Sequence, residues 1–370
     1  MKNLKYFFQF IIIYIFFLFC KILGYKRSSD FGSFIGKFFG PLFRSKKIIT
    51  KNLKLAYPKI SNNEIKALVP MEDAIECMKN AFSDFDSGDF IVPDRISTEI
   101  DGGNSTVLVM PAYRNGGKYF TIKTVTVSKS SGKNNSGLIS ACVNIFDSSN
   151  GDMIATLGGD TITSLRTGAA TGLATRLLAK KDSKIGAIFG TGVQAKTQVE
   201  AMAKVRQIKK VYVYGRETES MEKFSRHISD DYGIEAISGN LEDLSKVDII
   251  CTATPSADAL FKNHYLKPGV HINAIGSFRP SMREIPNETV INAKVVVDSF
   301  MASKKEAGDL LMTEKESSWT FDNIYSEIGA IASGRISGRS NDIEMTLFKS
   351  VGLGFQDLAI SELVLDRYDG

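Results

Sequence analysis

The order of apolar runs predicts an α/β chain with a doubly wound parallel sheet as its second half. Two observations carry that reading. From Lys184 onward short buried-strand runs at 185–189, 211–214, 247–252, 270–275 and 295–298 alternate with helical stretches, the pattern of parallel strands joined by crossover helices. Before Lys184 the apolar runs at 105–110, 119–128, 138–146 and 153–157 are separated by turn residues, Asn115-Gly116-Gly117, the 131–135 stretch and Asn150-Gly151. That spacing predicts an α+β part with a mostly antiparallel sheet.

The chain opens with a different composition. Residues 1–69 hold thirteen Lys/Arg against two Asp/Glu, which leaves 33 and 39 for residues 70–370. A net charge of +5 over 370 residues therefore hides a basic first segment and a mildly acidic remainder, a composition boundary that predicts a domain boundary. No nucleic-acid-binding surface is implied by the basic total. Tyr6–Cys20 is apolar apart from Gln9, with Lys2 and Lys5 before it and Lys21, Lys26 and Arg27 after it. It predicts an N-terminal hydrophobic helix acting as an uncleaved membrane anchor, with the heavier positive flank holding the rest of the chain on the cytoplasmic face. Phe39, Pro41, Leu42 and Phe43 then lie among Lys37, Arg44, Lys46 and Lys47, a basic amphipathic stretch suited to an anionic lipid surface. Membrane contact is thus expected through residues 1–50.

The wording of this segment, above all Asn52-Leu53-Lys54-Leu55-Ala56-Tyr57-Pro58, resembles the N-terminus of the lipid A lauroyl acyltransferase family over residues 1–67. That family implies a His followed five residues later by an Asp. The three histidines here, His227, His264 and His271, are followed at that distance by Tyr232, Gly269 and Gly276. Acyltransferase chemistry is absent.

Next, Pro70 suits a first helical turn, and Met71, Ala74, Ile75, Met78, Ala81, Phe82 and Phe85 follow with helical spacing to Gly88. The antiparallel strands come after it, then an Ala- and Leu-rich helix over 163–179. Beyond Lys315 the chain reads as helical again and is expected to pack back on the first part. Cys20, Cys77, Cys142 and Cys251 form no close pair, so neither a zinc site nor a disulfide framework is expected, and no metal is implied.

Gly190-Thr191-Gly192-Val193-Gln194-Ala195 follows the 185–189 strand and opens a helix. In such a turn the first glycine allows the bend, the second lets backbone approach a pyrophosphate, and the third small residue allows close helix–strand packing. The free N–H groups of the helix start complete an anion site. The pattern predicts a dinucleotide-binding Rossmann unit. At the end of the second strand, Val213-Tyr214-Gly215-Arg216-Glu217, glycine stands where an acid would hold the ribose of NAD. Arg216 can pair with a 2′-phosphate, whereas Glu217 argues the other way; NADPH is expected, with NADH or NAD as the alternative.

Three cations precede this unit. Arg95 lies in Val92-Pro93-Asp94-Arg95, Lys123 interrupts an apolar strand, and Arg166 opens Arg166-Thr167-Gly168. A lysine buried in a strand demands an anion, and the three together could clamp a small carboxylate.

Residues from about 67 to 367 resemble the ornithine cyclodeaminase/mu-crystallin family. The resemblance is carried in order by Pro93-x-Arg95, Lys123-Thr124-Val125-Thr126, Ser164-Leu165-Arg166-Thr167-Gly168-Ala169, the Gly190 loop, Cys251-Thr252-Ala253-Thr254-Pro255-Ser256, the 269–277 stretch and Phe348-Lys349-Ser350-Val351-Gly352. It implies a homodimer and a substrate/dimerisation domain made from both ends of the enzyme part, 67–182 and 315–370. The Rossmann domain over 183–314 lies between them, and 1–66 stands outside. It further implies that Arg95, Lys123 and Arg166 meet the substrate carboxylate beside the nicotinamide, and that Thr167, Thr252, Ala253, Thr254, Gly276 and Ser277 join the glycine loop in holding the cofactor.

One position departs from the family pattern. The cyclodeaminase and alanine dehydrogenase branches imply an acid–base Asp where Gly276-Ser277-Phe278-Arg279-Pro280 places Phe278. A phenyl ring transfers no proton. Reduction of a preformed cyclic imine needs only one hydride and one proton, so the segment resembles the ketimine reductase branch. The expected activity is reduction of Δ1-pyrroline-2-carboxylate or Δ1-piperideine-2-carboxylate to proline or pipecolate, with Lys123 completing the clamp or donating the proton. The alternatives are ornithine cyclodeamination, and a non-catalytic protein that binds NADPH and a small ligand. Glu284, after Arg283, is expected to be structural.

Overall fold

The computed structural model describes residues 59–60, 62–102, 104–128 and 139–369, together with ten separate positions between Phe7 and Ser28. Those ten are helical, and six of them fall in the Tyr6–Cys20 run; the rest of that run and the whole lipid-facing stretch lie outside the described residues. Among the described residues no helix is long and apolar enough to cross a membrane. Lys59–Gly370 forms one compact unit, which is described from here on.

The chain enters this unit through β1 (Lys59–Ile60) and α1 (Asn62–Leu68), and then α2 (Met71–Asp86). Pro70 caps α2, and its apolar stripe, Met71, Ala74, Ile75, Met78, Ala81 and Phe82, is buried as the spacing predicts. Short β2 (Phe90–Ile91) and β3 (Ile96–Ile100) lead to the long strands β4 (Ser105–Arg114), β5 (Tyr119–Ser128), β6 (Ile139–Asp147) and β7 (Met153–Gly158). They form one sheet in the order β1-β7-β6-β5-β4-β2, with β3 also on β4. Its pairs are antiparallel except β1 with β7.

Helix α3 (Gly159–Leu178) crosses from this sheet to the next. It is buried on nearly all sides, so it shows no amphipathic stripe. Its Gly168 and Gly172 let neighbours come close: a Cβ on Gly168 would meet the Thr197 carbonyl oxygen at 2.9 Å, and one on Gly172 would meet Ile75.

The second sheet is parallel throughout, in the order β10-β9-β8-β11-β12-β15-β13-β14. It begins with β8 (Ile185–Phe189), α4 (Val193–Val205), β9 (Lys210–Tyr214), α5 (Thr218–Tyr232) and β10 (Glu235–Ser238). It then runs the other way from β8 through β11 (Ile249–Thr252) and β12 (His271–Ala274). After α6 (Asn287–Asn292) come β13 (Lys294–Val297), α7 (Phe300–Glu306), α8 (Gly308–Glu316), β14 (Ser326–Glu327) and α9 (Ile328–Ala332). Separate apolar clusters cover its two faces, one with Val199, Met202 and Phe224, the other with Phe261, Leu310 and Trp319. The strand order reverses between β8 and β11, which opens a crevice beyond their carboxyl ends.

The expectation that the chain after Lys315 is helical needs correction. β15 (Thr346–Lys349) inserts between β12 and β13, so the parallel sheet recruits its strand from late in the chain. Four residues ending in a lysine gave no strand signal; burial of Lys349 is tolerated because its ammonium pairs with Asp309 at 2.8 Å. The last helix, α10 (Gly354–Asp369), does return to the first sheet, where Phe355 stacks on Phe85 at 4.5 Å between ring centroids.

Candidate active site

Gly190 leaves β8 with φ +110°, a conformation that favours glycine, and its N–H donates to the Tyr214 carbonyl at 2.8 Å. A Cβ there would lie 2.6 Å from the Ala253 carbonyl oxygen, so the loops after β8 and β11 touch. Gly192 precedes α4 with no side chain capping the helix, and a Cβ on it would meet nothing within 4 Å. The space beside Gly192 at the start of α4 is thus open, and no side chain caps the helix, the fit an incoming pyrophosphate needs. Val193 is exposed and Ala195 is fully buried against the sheet. The Gln194 Oε1 atom is buried with no hydrogen-bond partner among the described residues. Gly215 packs against Thr191, which brings Arg216, exposed at the end of β9, beside the glycine loop. Thr167, on buried α3, spends its hydroxyl on the Thr163 carbonyl at 2.6 Å.

On the other side of the crevice one carboxylate organises two loops. Glu284, fully buried, accepts from Thr254 N–H (2.7 Å), Thr254 Oγ1 (2.8 Å), Thr252 Oγ1 (2.8 Å), Gly276 N–H (2.8 Å) and Ser277 N–H (3.2 Å). Burial, followed by the nearby Asp309, pushes its carboxyl pKa up. Asp309 also takes the Glu284 and Ile285 N–H groups and pairs with Lys349. The structural role expected for Glu284 thus has concrete content: it fastens the loops that hold Thr252, Ala253, Thr254, Gly276 and Ser277.

The three cations come together at the neighbouring strand end. β12 pairs with β15, so the 276–277 loop and the 350–352 loop leave the sheet side by side; Ser350 N–H still bonds the Ala274 carbonyl at 3.2 Å. Arg95 donates to the carbonyls of Gly352 (2.7 Å) and Val351 (3.2 Å) and pairs with Glu306 at 2.7 Å. Arg166 lies against Gly352, donates to Gln356 Oε1 at 3.0 Å, and reaches Asp357 at 3.4 Å. Lys123 pairs with Asp357 at 2.6 Å and is 2% exposed. Burial pulls the Lys123 ammonium down to about 8, with Arg166 and Arg95 adding repulsion and Asp357 opposing the shift. Three cations meet two paired carboxylates, Asp357 and Glu306, and a third buried carboxylate, Asp298, also acts on Arg95. Asp298 shapes the loop between them, accepting from Ser350 Oγ and from the Val351 and Gly352 N–H groups, each at 2.8 Å.

Phe278 follows directly on the Glu284-bound loop, half-buried, with the Arg279 guanidinium 5.6 Å from its ring centroid. The residues that sequence reasoning missed are acids and their helpers: Asp357, Gln356, Glu306, Asp298 and Asp309. Each is far in sequence from the cation or loop it serves; the one available signal was the buried lysine in β5, which requires an anion somewhere. A cavity of about 330 Å³ adjoins Arg95 and Gly352. A larger one, about 600 Å³, sits at the opposite, amino-terminal ends of β12, β13 and β15, away from these groups.

Residues 60–370 match the profile of the ornithine cyclodeaminase/mu-crystallin family. The chain belongs to this family. Within it, the Delta(1)-pyrroline-2-carboxylate reductase of Bacillus cereus is 39% identical over 312 residues, covering 83% of this chain and 95% of that protein. Among solved structures, the Delta(1)-pyrroline-2-carboxylate reductase of Thermococcus litoralis, in complex with NADH and L-proline, is 35% identical with a TM-score of 0.80, over 84% of this chain and 96% of the other. An archaeal alanine dehydrogenase dimer with bound NAD is 29% identical with a TM-score of 0.78, over 84% and 95%.

Proposed function

We propose that this chain reduces a cyclic imino acid, Δ1-pyrroline-2-carboxylate or Δ1-piperideine-2-carboxylate, to proline or pipecolate at the expense of NADPH or NADH. The observation that carries the reading is the juxtaposition of the Arg95, Lys123 and Arg166 cluster at the end of β15 with an open dinucleotide crevice at the ends of β8 and β11, with Phe278 in the place of an acid–base Asp. The likeness to two reductases of Δ1-pyrroline-2-carboxylate, one of them holding NADH and proline, supports it.

The dinucleotide, when bound, supplies the hydride. The rest falls to the chain. The glycine loop Gly190–Ala195 and the start of α4 take the pyrophosphate, and Arg216 takes a 2′-phosphate. Thr167, Thr252, Ala253, Thr254, Gly276 and Ser277 line the cofactor on its nicotinamide side. Arg95 and Arg166 orient the substrate carboxylate. Lys123, charged below about pH 8, completes that clamp or gives its proton to the imine nitrogen. Phe278 offers no base for taking a proton from an amino acid, which disfavours oxidative deamination.

In this reading the substrate/dimerisation part comprises 67–182 and 315–370, the cofactor part 183–314, and the enzyme acts as a homodimer. The test is NADPH oxidation by the full chain with Δ1-pyrroline-2-carboxylate and with Δ1-piperideine-2-carboxylate, beside L-ornithine plus NAD. Turnover of an imine alone is the expected result. Release of ammonia and proline from ornithine would overturn the reading; dinucleotide binding without turnover of either imine would make this a binding protein.

A further inference from the structure

The five donors that converge on Glu284 include three backbone N–H groups, from Thr254, Gly276 and Ser277. A backbone N–H has no alternative role, so the carboxyl oxygens serve as acceptors, the arrangement an ionised carboxylate satisfies best. The two hydroxyl donors, Thr252 and Thr254, add to it. In a trans peptide the carbonyl points opposite its N–H. Each N–H turned toward Glu284 therefore turns the carbonyl of the preceding residue away from it. For the 253–254 peptide this is visible: the Ala253 oxygen faces the glycine loop, 2.6 Å from where a Gly190 Cβ would sit. Glu284 thus helps turn the Ala253 carbonyl toward the glycine loop and stands behind the 252–254 and 276–277 loops as a buried carboxylate. Two carboxylates, Glu284 and Asp309, face a single ammonium, Lys349, all fully buried, so with both acids ionised this cluster carries one net negative charge.

We propose that Glu284 is a positioning residue that makes this half of the crevice electronegative, so that the site favours the positively charged oxidised nicotinamide over the neutral reduced one and thereby favours hydride donation. The inference rests on the reading that the 252–254 and 276–277 loops line the nicotinamide half of the cofactor. In a doubly wound sheet the two halves of a dinucleotide lie on either side of the switch point, and here Arg216 marks the adenosine side at β9. A charge that binds one redox form better shifts the bound couple by the ratio of the two affinities.

The test is a pair of equilibrium titrations on the full chain, with NADH followed by its fluorescence and NAD by calorimetry, and the same for the phosphorylated pair. Glu284→Gln keeps the size and some hydrogen bonds but removes the charge. Its expected effect is a rise of roughly tenfold in Kd(oxidised)/Kd(reduced), the size a single charge across a few ångströms of protein produces. Glu284→Asp keeps the charge and should leave the ratio near that of the natural protein even as both affinities weaken. An equal weakening of both forms in the Gln variant would overturn the proposal and leave Glu284 a purely structural residue. Should that variant fail to fold, Asp309→Asn carries the test: it keeps all five bonds to Glu284, removes one negative charge, and should raise the ratio in the same direction, an unchanged ratio again overturning the proposal. Failure of the natural protein to bind either dinucleotide would instead sink the cofactor-site reading itself.

Discussion

Lys123 sits in the middle of a strand, 2% exposed, with Asp357 at 2.6 Å and Arg166 and Arg95 close enough to repel it. Its ammonium is the acting form in both roles assigned to it, and burial lowers its pKa to about 8. The protonated share is full below that value and falls as pH rises through it. kcat/KM for the imine is therefore expected to be level on the acid side and to drop above about pH 8, a limb that Lys123→Met should abolish. The same substitution should cut kcat/KM by about 10²- to 10⁴-fold, the usual span for a general acid, while NADPH titration shows binding retained. Arg216 makes the second prediction at this scale. Arg216→Ala should weaken NADPH by about tenfold and leave NADH within twofold, because only the first carries the phosphate that the guanidinium would bridge. Equal loss for both would reassign Arg216 to the surface.

At the scale of an element, the glycine loop separates backbone strain from ligand approach. Gly190 has φ +110° and a carbonyl oxygen 2.6 Å from its would-be Cβ. Gly190→Ala should cost on the order of 1–3 kcal/mol of stability, read as a lowered Tm, and take dinucleotide binding with it. Gly192 has an ordinary φ of −88° and nothing within 4 Å. Gly192→Ala should leave Tm almost unchanged, within about 0.5 kcal/mol, yet weaken the dinucleotide severely, because the methyl group fills the space a pyrophosphate would enter. A Gly192→Ala protein that binds normally would remove the pyrophosphate from this loop. The same contrast explains why Gly352 matters: with φ +79° and the Arg166 guanidinium against it, the turn after β15 leaves no room for a side chain where two arginines meet.

Across the whole molecule, the late part of the chain closes both halves. β15 completes the parallel sheet between β12 and β13, and α10 covers the first sheet, placing Asp357 under Lys123 and Arg166. Phe355, the second residue of α10, is fully buried against Phe82, Phe85 and Phe90. Phe355→Ala should cost about 3–5 kcal/mol in denaturant unfolding and should also lower activity, since the helix it anchors carries Gln356 and Asp357. Loss of stability with unchanged kcat/KM in the folded fraction would show that the pairing of Asp357 with Lys123 does not depend on that packing.

The local patterns were legible because they depend on near neighbours. The stripe from Met71 to Phe82, the alternation through β4 to β7, the repeated strand–helix units and the glycine turn after β8 each follow from short-range spacing and backbone sterics. The three cations could be named from their types and their setting, Lys123 above all, since a charge inside a strand is costly without a partner. What the residues alone left open was which groups answer those charges and which late segments complete the sheet. Asp357 lies 234 positions from Lys123, and Glu306 lies 211 from Arg95. Thr346–Lys349 is a strand only because β12 and β13 offer it hydrogen bonds on both sides and Asp309 meets its lysine. Neither periodicity nor propensity encodes such pairings. They arise when the packed chain must satisfy every buried charge and every backbone N–H, and the tertiary structure alone decides which residue does so.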